Sequence, residues 1–214
     1  MMILFFGPDG AGKTTLAKML RKYFLKQGNH KVYVSWIRGT HTLALIIASF
    51  LSRFNNMKGA DNPYFDIKIR KRDKIWQFIE FISLIPLILL RYYIPNKIGF
   101  VVIGERSPID SLIWIMQTTN DPKYFKTIFG KFLLKFSSTA DLIFFITANR
   151  DILIKRRLNE KINFFQYYLY EKIYEILKRN YPRLKIYRIE TSYKSVRRSL
   201  HEIITTIGNR SAGE

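Results

Sequence analysis

Four side chains in two short stretches carry the chemistry that this sequence can do: Lys13 and Thr14 in "GPDGAGKTTL", and Glu105 and Arg106 in "VVIGERSPIDS". In the first stretch Gly7-x-x-x-x-Gly12-Lys13-Thr14 satisfies every fixed position of a phosphate-binding loop. Gly7, Gly10 and Gly12 let the backbone curl, so that N–H groups from Asp9 through Ala11 to Thr15 can point inward at phosphate oxygens. The helix that starts there adds its positive dipole end. Lys13 would reach the β- and γ-phosphates, and the Thr14 hydroxyl would ligate Mg2+. A Gly-rich turn matching by accident is the plain alternative, but strand, loop and helix follow in the required order. The loop is therefore expected to bind a nucleoside triphosphate, with ATP and Mg2+ as cofactors.

The second stretch brings an apolar strand to an end at Glu105 and Arg106, and open α/β sheets place ligands at the carboxyl ends of their strands. A carboxylate there can hold Mg2+ through water, and a guanidinium can clamp a substrate phosphate with two N–H groups. A structural ion pair is the competing account. Two further stretches lie on the same rim. Arg38, in "VSWIRGTHT", could contact an acceptor or simply face solvent, and His41 is expected to start a helix. Arg150, Arg156 and Arg157, in "NRDILIKRRLNEK", could close over a triphosphate, because phosphoryl transfer needs cations around the moving group. Most basic helix residues are merely solvated, so only one or two of these should act.

These groups need a scaffold to hold them. Strand signals lie at Met2–Phe6, Val32–Ser35, Phe100–Ile103, Leu142–Thr147 and Lys185–Ile189, with helical patterns between them. That alternation predicts an α/β fold with a five-stranded parallel sheet flanked by helices in three layers. The 214 residues suit one domain, and 48% hydrophobic content can fill a core. Cysteine is absent, which excludes disulfides and thiolate metal sites. The first strand begins at the N-terminus and leaves no room for a signal peptide, so a cytoplasmic protein is expected. A net charge of +20 suggests nucleic acid, an anionic membrane surface or a polyanionic substrate. Yet the cations are spread along the chain, and no nucleic-acid or membrane motif accompanies them.

The run "IWQFIEFISLIPLILLRYYI" (75–94) has an uncharged centre from Phe81 to Leu90 that includes Pro86. Spanning a bilayer takes roughly 20 apolar residues. A long buried helix, kinked at the proline, is the expectation, with a surface-embedded or dimer-forming helix as the alternative.

At this point the motifs resemble a known family. "GPDGAGKTTL" is similar to the phosphate loop of thymidylate kinases, and "ERS" resembles both their Asp-Arg motif and the E-R-S motif of deoxyribonucleoside kinases. The segment 150–163 is similar to the lid region of both groups, and "IETSYKSVRRSLHEII" (189–204) to their last strand, adenine-edge loop and C-terminal helix. The resemblance implies a single P-loop NTPase kinase domain over 1–214. It assigns phosphate and Mg2+ binding to Lys13 and Thr14, and the acceptor side to Asp9. Glu105 becomes the Mg2+-side carboxylate, Arg106 the acceptor-phosphate arginine, and Arg156 or Arg157 the lid arginine. Arg38 falls near the family's Arg-Glu-Pro-Gly-Gly segment, but Gly39-Thr40 stands where the Glu-Pro would be. The family's thymine-holding arginine has no counterpart; Gln77 is the nearby polar candidate for substrate binding, with a core role as its alternative.

The implied activity is ATP-dependent phosphoryl transfer to a nucleoside monophosphate, dTMP foremost. A deoxynucleoside kinase is the first alternative, although no Asp or Glu follows the second strand to act as base. A basic ATP-binding protein acting on nucleic acid or a membrane partner is the second. A homodimer through the 67–94 helical region is a further expectation.

Overall fold

The computed structural model describes residues 1–37, 39–59, 65–156 and 164–211. Among these, five strands form one parallel sheet: β1 (Met2–Phe6), β2 (Val32–Ser35), β3 (Val101–Gly104), β4 (Leu142–Thr147) and β5 (Ile186–Glu190). Their order is β2-β3-β1-β4-β5, with Leu4 paired to Gly104 on one side of β1 and to Ile143 on the other. Each strand lies within one residue of its expected position.

β1 explains the layering. All five of its residues are buried, and alternation sends Met2, Leu4 and Phe6 to one face and Ile3 and Phe5 to the other. The first face packs under α3 (Lys74–Ile88), α5 (Pro108–Thr118), α6 (Ile128–Ser137) and α8 (Phe164–Asn180). The second packs under α1 (Lys13–Lys26) and α9 (Val196–Ser211). A sheet buried on both faces is what continuous apolar strands require. Two shorter helices, α2 (Thr42–Leu51) and α4 (Ile94–Lys97), flank α3 in sequence, and α7 (Arg150–Arg156) follows β4.

α3 differs from expectation. It begins at Asp73, whose side chain accepts a 2.9 Å hydrogen bond from the Trp76 N–H, and it runs past Pro86. The missing proline N–H is followed by a π-helical turn at Leu89–Tyr93, and the helix then continues into α4. The resulting apolar stretch is not a core helix, because only 33% of it is buried. Its inner side carries polar groups that tie it to α2. Thr42 Oγ1 donates to the Ser83 carbonyl at 2.8 Å, Ser83 Oγ accepts from the Ala44 N–H at 2.8 Å, and Thr40 Oγ1 bonds Glu80 Oε1 at 2.9 Å. Burial pushes the Glu80 carboxyl up to about 7, with hydrogen bonds from Thr40, Trp114 and Trp76 opposing that rise.

Candidate active site

The phosphate loop lies between β1 and α1, and its geometry explains each glycine. A Cβ on Gly7 would sit 1.9 Å from the Ile146 carbonyl oxygen, so only glycine lets the loop leave β1 against β4. Gly10 and Gly12 have φ of 83° and 96°, the left-handed region, and Gly12 is the residue that opens α1. Lys13 is buried, and its Nζ donates to the carbonyls of Gly7 at 2.5 Å and Pro8 at 2.7 Å. The ammonium is thus held inside the loop, where phosphate oxygens would replace carbonyls as acceptors.

Glu105 follows β3, and its Oε1 accepts a 2.5 Å hydrogen bond from Thr14 Oγ1. Ninety-one residues of sequence separate these groups, yet the β1–β3 pairing sets them side by side. A hydroxyl and a carboxylate in contact suit a hard cation that keeps most of its waters, as Mg2+ does beside nucleotide phosphates. No cluster of three or more His, Cys, Asp or Glu residues that could cage a metal occurs among the described residues.

Arg106 is the centre of the second half. It pairs with Asp9 of the loop, and its Nη1 lies 3.7 Å from Asp110 Oδ1. Asp110 is fixed in turn: Oδ2 accepts from the Ser107 N–H at 2.8 Å, and Oδ1 accepts from the Tyr170 hydroxyl at 2.9 Å. Ser107 and Asp110 form the capping box that starts α5, so the cap of a helix also positions the arginine. From behind, the buried Tyr92 hydroxyl donates to the Arg106 carbonyl. Burial alone would lower the pKa of the guanidinium, but Asp110, Tyr170 and Asp9 outweigh it and hold the group firmly cationic. Its Nε and Nη1 are nonetheless buried without a hydrogen-bond partner.

On the other side of the loop, Arg156 donates to the Gly10 carbonyl at 3.3 Å and to Thr191 Oγ1 at 3.1 Å and the Thr191 carbonyl at 2.7 Å. A cavity of about 270 Å³ opens there, lined by Gly10, Ala11, Gly12, Thr15 and Arg156, by Thr191 and Lys194 of the segment joining β5 to α9, and by Ser199 in the first turn of α9. Thr191 Oγ1 also reaches the Ala11 carbonyl at 3.0 Å.

The structure therefore brings Asp9, Lys13, Thr14, Glu105 and Arg106 together, and places Thr15 and Arg156 on the neighbouring cavity. Gln77 lies apart. Its amide is buried and donates to Thr119 Oγ1 at 3.1 Å and to Asp121 Oδ2 at 3.0 Å, a core arrangement. His41 caps α2, as expected. Arg38, Arg157 and the lid segment beyond Arg156 lie outside the described residues. Sequence reasoning missed Tyr92, Asp110, Tyr170 and Thr191. Only Asp110 left a local signal, the Ser-x-x-Asp spacing of a capping box.

Neither protein-family models nor curated proteins match this sequence. Solved structures do. Thymidylate kinase from Ehrlichia chaffeensis superposes with a TM-score of 0.53 at 16% identity, over 97% of this chain and 98% of that one. Thymidylate kinase from Candida albicans superposes with a TM-score of 0.63, also at 16% identity, over 100% of this chain and 93% of that one. From end to end, this chain has a thymidylate kinase-like P-loop fold.

Proposed function

We propose that this chain is a nucleotide kinase that transfers the γ-phosphoryl group of ATP to a nucleoside monophosphate, with dTMP the first acceptor to test. One observation carries the reading: Arg106 stands half-buried at the rim of the sheet, beside the phosphate loop, with its Nε and Nη1 atoms buried and without a hydrogen-bond partner. Buried N–H groups without acceptors are costly, and a phosphate oxyanion is the ligand that would satisfy them. The fold shared with thymidylate kinases supports the same reading.

Catalysis would then be positioning and charge neutralisation. Lys13 turns from its loop carbonyls to the β- and γ-phosphates. Thr14 and Glu105 would hold Mg2+, which would supply positive charge to offset that of the phosphates. Arg156 fixes the loop from the donor side, and Arg106 orients the acceptor phosphate so that its oxygen lies in line with the bond to be broken. An oxygen of the acceptor forms the new P–O bond as ADP leaves. The acceptor is already an oxyanion, so no general base is required, and no Asp or Glu follows directly on β2. Thymine recognition is a separate matter: Gly39-Thr40 replaces the family's Glu-Pro, and Gln77 is engaged in the core. The C. albicans enzyme is described as broad in substrate specificity, which argues for a wide acceptor panel.

That panel is the test. ADP formation from ATP and Mg2+ is measured with dTMP, dCMP and other monophosphates, and with thymidine and deoxycytidine. Monophosphates should be used at least tenfold more efficiently than matching nucleosides, since a missing general base is worth on the order of 10²–10⁴ in rate. Preference for the nucleosides overturns the assignment in favour of a deoxynucleoside kinase. ATP turnover stimulated by DNA or lipid, without any small acceptor, overturns it in favour of the basic ATP-binding protein.

A further inference from the structure

Six cations converge on a groove of about 860 Å³ between α6 and α8, which shares no lining residue with the candidate active site. Lys123 and Lys126 come from the turn before α6, Lys131 and Lys135 from α6 itself, and Lys172 and Arg179 from α8. Glu175 is the one acid among the described lining residues, a ratio of six to one where the whole chain has 36 cations to 16 acids. Folding thus concentrates here a charge that the sequence spreads out.

Helix electrostatics explains only part of this. Lys135 and Arg179 occupy last turns, where the helix dipole favours a cation. Lys131 is the fourth residue of α6, at the end that the dipole disfavours, and it stands one turn from Lys135, a like-charge pair that weakens a helix. None of the six side chains takes part in an ion pair among the described residues, and all but the half-buried Lys172 are exposed. Cations gathered this closely, with so little acid between them, form a site for an external polyanion.

The apolar part of the lining decides which polyanion: Phe125, Leu134, Ile176 and Tyr181. The Phe125 ring lies 6.0 Å from the Lys126 ammonium and 5.5 Å from that of Lys172, so a base placed on this ring would have its phosphates near both. From Lys172 to Arg179 the helix rises by about 10 Å, which takes in roughly three phosphates of a nucleic-acid strand. A second depression of about 570 Å³ adjoins the groove through Asn180 and Tyr181 and adds Arg183; its acid, Asp141, accepts from the Met2 N–H at 2.7 Å. A cationic track beside aromatic rings is how proteins hold single strands, with phosphates on the cations and bases on the rings. Bases stacked within a duplex could not reach these rings, and an acidic peptide or polyphosphate would leave them unused. We infer that the groove between α6 and α8 binds single-stranded nucleic acid, with phosphates on its cations and bases against Phe125 and Tyr181. The inference concerns binding alone, goes beyond phosphoryl transfer and does not depend on it.

Fluorescence anisotropy of short labelled oligothymidine and oligouridine, titrated with the full chain, tests it. Binding should weaken as salt rises, with a log–log slope of about −0.7 for each phosphate neutralised. Lys131→Ala combined with Lys135→Ala should make that slope shallower by about 1.4 and weaken binding at least about tenfold in about 0.1 M salt. Its thermal melt should stay unchanged, because both side chains are exposed. Tyr181→Leu keeps the apolar bulk but removes the ring; it should weaken oligonucleotide binding by roughly fivefold and leave the affinity for inorganic polyphosphate unaltered. Absence of binding by the wild type, or wild-type affinity in the double lysine variant or in Tyr181→Leu, overturns the inference. So does competition by inorganic polyphosphate, polyglutamate or duplex DNA that equals competition by the unlabelled single strand, since the rings would then have no part in binding.

Discussion

At the scale of single residues, the proposed function divides the site into groups for the donor and groups for the acceptor, and substitutions should separate them. Lys13→Ala should lower phosphoryl transfer by at least about a hundredfold, the roughly 3 kcal/mol that a transition-state charge contact supplies, while leaving the circular dichroism spectrum and melt near wild type. Near-normal turnover by a folded variant would remove the triphosphate from this loop. Glu105→Gln should raise the Mg2+ concentration needed for half-maximal rate. Arg106→Ala should instead raise the acceptor KM, because the two adjacent side chains meet different ligands: Glu105 bonds Thr14, whereas Arg106 faces Asp9 and Asp110. Titrations of Mg2+ and acceptor on both variants distinguish the two effects, and a shift in melting temperature alone would reduce the pair to a structural role. The glycine and lysine spacing made the phosphate loop legible from sequence, since Gly7 to Thr15 is a run of nine residues. The support of Arg106 was not legible. Tyr170 reaches Asp110 across sixty residues and Tyr92 reaches back to Arg106 across fourteen, and no local pattern encodes such contacts.

Among the elements, α3 carries the group with the most telling protonation. The Glu80 carboxyl is raised from 4.5 to about 7 by burial, so the folded state binds a proton that the unfolded chain has already released between those values. Its favourable contribution is complete below pH 4.5 and is lost as pH rises through 7, on the order of 3 kcal/mol over the window. Glu80→Gln should therefore flatten the dependence of stability on pH between 4.5 and 7 and leave the variant the more stable protein at pH 8. Urea melts at a series of pH values check this, and parallel curves for the two proteins would refute it. Element positions were readable because buried parallel strands are short continuous apolar runs, and all five were located within a residue. The setting of α3 was not readable. Its few polar residues would ordinarily mark the solvent side of a helix, but here Gln77, Glu80 and Ser83 are on the buried side and apolar residues such as Ile75 and Phe78 are exposed.

For the whole molecule, the cavity proposed for ATP is assembled from three separate parts: the phosphate loop with the start of α1, the end of α7, and the segment after β5 with the start of α9. ATP spanning them should stabilise the fold globally. At a ligand concentration a hundred times Kd the gain is about 2.7 kcal/mol, a rise in melting temperature of roughly 5–10 °C for a chain of this size. Differential scanning fluorimetry should show that rise, and a smaller one for Arg156→Ala, whose guanidinium joins Gly10 to Thr191. An unchanged melt with ATP would exclude the cavity as its site. The π turn at Leu89–Tyr93 has a bearing on the molecule as a whole too. Along α3 the buried positions Trp76, Glu80, Leu84, Ile88 and Tyr92 advance by four residues, a stride that drifts by about 40° per step in a regular α-helix. The wider turn takes up that drift at the last step and brings Tyr92 round to Arg106. The turn holds one residue more than a regular helix would need for the same rotation. Deleting one residue between 89 and 91 would let regular bonding resume with everything downstream close to its present phase, because four α-helical residues turn about as far as five in a π turn. The sequence at this turn is a count as much as a spelling.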